Sequence, residues 1–147
     1  MRNHRPLLLS LALLGTTAAA GQPPEATVTR LGTLLDGYKT SNDQCFTPAW
    51  VGAAFSKTGV DGQRRVGAVP YTLLASYPRD LAVKLVDAKI KSTSTLGWKP
   101  VTEWEKNTAG VRRVFASSEA PGTLFEVILP DVPAGVQTVV CFGLYRP

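Results

Sequence analysis

Two runs near the end of the chain decide the fold class: LFEVIL, Leu124 to Leu129, and VQTVVCFGLY, Val136 to Tyr145. Both are apolar at nearly every position, and β-branched or aromatic residues dominate them. In an antiparallel sheet with one wet face, polar residues alternate with apolar ones. A nearly continuous apolar run instead predicts a central strand covered on both faces. Between the two lies PDVPAG, whose prolines and glycine mark a turn.

Working back from that pair, Val111 to Ala116 and Val101 to Trp104 flank EKNTAG, a predicted hairpin loop. Arg64 to Tyr77 is another apolar run, broken at Pro70, which suits an edge position or a bulge. SKTGVDGQ, Ser56 to Gln63, has the glycines and aspartate of a turn, and Trp50 to Phe55 before it is apolar and small. Asp80 to Lys91 reads as a strand with a one-residue slip near Val86, the signature of a β-bulge. A helix is the competing reading, but its apolar arc is wide and includes Lys89. Near the start, Leu31, Leu34, Leu35 and Tyr38 recur at helical spacing, with Thr29 as cap and Gly37 as stop.

Several short strands separated by turn signals predict a mainly β domain, an antiparallel β-sandwich with one short N-terminal helix. The run LPDVPAGVQTVVC, Leu129 to Cys141, resembles the corner of immunoglobulin-like domains, where a turn leads into a core strand. That likeness implies an immunoglobulin-like or similar sandwich and names no family.

Residues 1–20, MRNHRPLLLSLALLGTTAAA, show the three-part order of a secretory signal peptide. Arg2 and Arg5 precede a short apolar stretch, and small residues close the segment. The stretch falls short of the ~20 residues that a membrane-spanning helix needs. Cleavage near Ala20 would leave residues 21–147 as a single domain, periplasmic or extracellular, with no transmembrane segment. It would also remove the only histidine and the only methionine. Positive residues would fall from 16 to 14 against 11 acidic ones, reducing the net charge from +5 to +3.

Export gives meaning to the two cysteines, Cys45 and Cys141, because disulfides persist outside the reducing cytosol. A single pair has one connectivity, so the expected bond is Cys45–Cys141; two packed free thiols are the alternative. With no histidine left, the usual zinc sets and a histidine-activated thiol are both lost, so no metal and no cofactor is expected. Ser-His-Asp catalysis goes as well, and the chain carries neither phosphate-binding glycine loop.

What chemistry remains is carboxylate-based or purely associative. On a strand, Glu103 and Glu105 would share a face and could split acid and base roles, although a solvated strand face is the simpler reading. Trp98, Trp104 and Tyr71 could form an aromatic platform for a sugar or peptide if exposed, and otherwise serve as core. The candidate ligand-binding residues are Trp98, the pair Arg112 and Arg113, and Lys84, Lys89 and Lys91. In the bulged-strand reading those three lysines fall on one polar side, where they could meet a polyanion. The reading that results is a secreted, non-catalytic binding or structural module of the cell envelope. Its expected partner is an envelope protein or polysaccharide. A nucleic-acid- or acidic-polysaccharide-binding protein is one alternative, and a small carboxylate-dependent hydrolase is another.

Overall fold

The computed structural model describes residues 23–40, 55–93, 95, 97–131 and 134–147. The segment read as a signal peptide, Trp50 and Cys45 lie outside these residues. In chain order the elements are α1 (Pro24–Leu34), β1 (Gly37–Lys39), β2 (Arg64–Leu73), α2 (Arg79–Ser92), β3 (Trp98–Pro100), β4 (Glu105–Asn107), β5 (Gly110–Ser117), β6 (Leu124–Pro130) and β7 (Val139–Arg146). All seven strands join one antiparallel sheet in the order β1-β2-β7-β6-β5-β3, with β4 also pairing with β5. The expected mainly β, antiparallel architecture is therefore present, with two helices. Among the described residues no second sheet accompanies it.

The near-continuous apolar runs became β6 and β7, the middle of the sheet. Phe125, Val127 and Leu129 on β6, with Val140, Phe142 and Leu144 on β7, join the main core. The alternate residues Ile128 and Cys141 are equally buried on the opposite face. Period-2 alternation thus holds, but both faces are dry.

The first face is covered by the two helices. α1 starts five residues before the expected Thr29, because Pro24 at its first turn has a preset φ and needs no N–H partner there. Its buried residues Thr27, Val28, Leu31 and Gly32 face the sheet, so close that a Cβ on Gly32 would lie 2.4 Å from Tyr71 Cε1. Gly37 does not end the helix but opens β1. The chain turns at Leu35 and Asp36, the latter at φ 54°.

The segment expected as a bulged strand is helix α2. Ala82, Val86 and Ile90, each four residues after the last, form its buried line, and Val83 and Leu85 pack at its flanks. Leu81, half exposed, supplied the apparent alternation with Val83 and Leu85. The small Ala82 completes the buried line without advertising it. Lys89 and Lys91 sit in the last turn, where cations complement the helix dipole.

Two further boundaries moved. Val101 to Trp104 is the bend between β3 and β4, and the hairpin closes at Asn107–Gly110, with Asn107 Oδ1 accepting from the N–H groups of Ala109 and Gly110. Pro70 sits inside β2, opposite Cys141. Its carbonyl accepts from Thr40 N–H, so its missing donor faces the β1 side, just past the end of that three-residue strand. No bond to β7 is lost. The irregularity in this strand lies instead between Arg65 and Gly67.

Trp98 ties the layers together. Its ring lies 4.8 Å from Phe125, 5.6 Å from Phe115 and 6.4 Å from Phe142, centroid to centroid. Edge and tilted aromatic pairs of this kind add about 0.5–1.5 kcal/mol each beyond the area they bury.

Candidate binding cleft

Adjacent residues on a strand point to opposite faces, and this separates the two arginines. Arg112 lies on the second face, 1 % exposed, and its Nε donates to Glu126 Oε2 at 2.5 Å. Its Nη1 donates to Thr58 O at 3.0 Å and stands 3.7 Å from Glu105 Oε2. Glu126 also accepts from the Tyr145 hydroxyl at 3.3 Å. Burial, aided by the Glu126 charge, pushes the Tyr145 phenol up from its ordinary value.

This network anchors the turn segment. Ser56 donates to Glu105 through both its backbone N–H (3.0 Å) and its hydroxyl (2.8 Å), while Val60 is buried and Phe55 packs beside Ile128 and Cys141. The turn itself matches expectation, with Gly59 and Gly62 at positive φ. The backbone N–H of Ser56 holds the Glu105 carboxyl below its ordinary value near 4.5. Partial burial opposes this, and the Ser56 hydroxyl and the Arg112 charge support it. A lowered carboxyl pKa contributes stability above the unfolded value, and that contribution is lost as pH falls through the folded one. Glu105→Gln should therefore flatten the loss of stability below about pH 4.5. Unfolding free energies from pH 6 to 3 test it, and equal slopes for the two proteins would remove Glu105 from the account.

Arg113 points to the first face. It donates from Nε to Thr102 O at 2.7 Å, and stands 3.5 Å from Asp87 and 3.6 Å from Glu103. Its guanidinium carbon lies 6.0 Å from the Trp104 ring centre and 5.5 Å from that of Phe115. Trp104 in turn donates its indole N–H to Asp87. The arginines do not form one basic patch. Of the lysines, Lys84 and Lys91 are exposed two turns apart on one side of the helix, while Lys89 is half-buried and turned away from them.

The carboxylate pair also separates. Glu105 opens β4 and bonds Ser56, whereas Glu103 stands in the preceding bend, almost fully exposed, beside Arg113. The aromatic platform is likewise absent, since Tyr71 and Trp98 are 3 % and 7 % exposed.

Three sequence candidates nevertheless meet. Trp98, Arg113 and Lys91 line a cleft of about 300 Å³ between the C-terminal end of α2, the edge strand β3 and β5. Ile90, Pro100 and Phe115 add apolar wall, and Lys99 adds a second lysine at the rim. Neither Lys91 nor Lys99 has a carboxylate partner among the described residues, whereas Arg113 and Asp87 are already engaged. Trp98 Nε1 is buried with no hydrogen-bond partner among the described residues. Lys99 escaped the sequence reading because LGWKP gave a turn signal that hid the three-residue strand β3, and Ile90 because it lies on α2, the segment expected as a strand. A larger hollow of about 430 Å³ beside Tyr77 and Ala82 is less suited to a ligand, since its charges, Arg79 and Asp131, pair in bidentate fashion.

Among the described residues no helix is long and apolar enough to cross a membrane, and no cluster of histidine, cysteine or carboxylate groups could hold a metal. Compared with known proteins, the chain matches no family model, and neither a curated protein nor a solved structure shows significant similarity.

Proposed function

We propose that the protein is an exported, non-catalytic binding module of the cell envelope, with the cleft beside β3 as its ligand face. The observation that carries this reading is the composition of the cleft. It joins aromatic and aliphatic wall to two lysines without a carboxylate partner among the described residues, the mix of apolar surface and few polar groups typical of binding sites. Its single carboxylate, Asp87, is held by Trp104 and Arg113 and is poorly placed to act as a base. The leader-like segment at residues 1–20 and the two cysteines support export.

The hydrolase alternative loses support from the separation of Glu103 and Glu105. The polyanion alternative loses it from the ion pairs of Arg112 and Arg113. A strict β-sandwich would require a second sheet over the face that carries Cys141 and Ile128, the face that Phe55 covers in part.

Two measurements test the proposal. Exported protein should have a mass that starts at or near Gly21, and an intact Met1 on exported material would defeat the export reading. The purified protein should turn over no ester, glycoside or peptide substrate. Turnover that disappears in Glu105→Gln or Glu103→Gln would defeat the non-catalytic reading.

A further inference from the structure

We infer that the cleft binds a small amphiphilic anion, an aromatic or short aliphatic body carrying one carboxylate-like acid group. The inference rests on the cleft being the ligand face, as proposed above, and adds the chemical class. Size comes first. About 300 Å³ lies at the low end for ligand sites, enough for a body of one or two rings and too little for an oligomer. Chemistry comes second. Ile90, Trp98 and Phe115, each at most 8 % exposed, close the floor of the cleft, and with Pro100 they give it an apolar lining that a bare inorganic ion would not use.

Charge comes third. The cleft's Arg113 cation and Asp87 anion face one another at 3.5 Å and answer each other, which leaves Lys91 and Lys99 in excess. A monoanion between these lysines would be matched by charge without displacing any existing pair. The fourth observation is the Trp98 indole N–H, buried without a partner among the described residues, in a residue that lines the cleft. Buried donors are nearly always satisfied, and an oxygen acceptor on a bound molecule is a group that would satisfy this one. Two lysines do not make the extended track of phosphate or sulfate contacts that a polyanion needs.

The test uses 2-naphthoate and its uncharged isostere 2-naphthamide, with binding followed by calorimetry and by the indole N–H resonance of Trp98. Naphthoate should bind at least roughly tenfold more tightly than the amide, and should shift that resonance. Lys91→Glu with Lys99→Glu should abolish the preference, while Lys84→Glu, on α2 but outside the cleft, should leave it intact. Equal binding of both compounds, unaffected by charge reversal, would overturn the anionic class and leave the cleft as a binding site. If neither compound binds or moves the Trp98 resonance, the cleft itself fails as the ligand face. Displacement of naphthoate by heparin that is weakened equally by Lys84→Glu would overturn the inference in favour of a diffuse polyanion surface.

Discussion

Replacing Arg112 with methionine should lower the unfolding free energy by about 3–5 kcal/mol, the usual cost of leaving a buried charge without its partner. Glu126→Leu should cost a similar amount. Arg112 is 1 % exposed and Glu126 3 %, so the survivor of either single substitution stays in the interior without its nearest counter-ion. The Arg112 variant leaves Glu126 with the hydroxyl of Tyr145 in place of its guanidinium partner, and it removes the donor to Thr58 O that holds the 55–60 segment. The Glu126 variant leaves Arg112 with Glu105 at 3.7 Å, a longer and more solvated contact. The double variant Arg112→Met, Glu126→Leu separates pair energy from desolvation. It should cost clearly less than the sum of the singles, because an apolar pair of similar volume needs no counter-ion. Urea unfolding of the four proteins measures this cycle. Strictly additive losses would mean that the two groups are not energetically coupled, despite their 2.5 Å contact.

Arg112 also shows how far the sequence could be read. RR at 112–113 looks like a patch when charges are simply counted. Once 111–116 is read as a strand, alternation alone sends the two residues to opposite faces, so their separation was available in principle. Their carboxylate partners were not. Glu126 comes from another strand, and Asp87 from a segment whose type was misread. The central strands were legible because an apolar run dry on both faces has few alternatives. α2 was not, because Leu81, Val83 and Leu85 imitate a strand while the true packing line runs through a small alanine to Val86 and Ile90. The cleft inherits that error. It is assembled from the end of α2 and from β3, a three-residue strand that ends at Pro100 and is held in place by its pairing with β5 and by the burial of Trp98. Tertiary contact, rather than local propensity, makes those two elements.

Converting Cys45 and Cys141 together to alanine should lower stability by about 2–5 kcal/mol and raise the denaturant sensitivity of unfolding. Cys141 is fully buried on β7, opposite Pro70 on one side and Ile128 on the other, and it is not a free thiol. The chain's other cysteine is Cys45, 96 positions earlier. A bond between them would close a loop that, at about 100 residues, is worth roughly 4.7 kcal/mol when only chain entropy is counted. It would join the N-terminal part of the domain to the most central region of the sheet. The stabilisation acts on the unfolded chain, which the cross-link keeps compact. Without the bond the unfolded chain exposes more surface, so the slope of free energy against denaturant should steepen. A buried cysteine that merely packs behaves differently, since its loss leaves a small cavity in the folded state and an unchanged slope. Thiol labelling of unreduced protein in denaturant adds a direct count. Two reactive thiols per chain, together with an unchanged slope in the double variant, would show that the bond does not form.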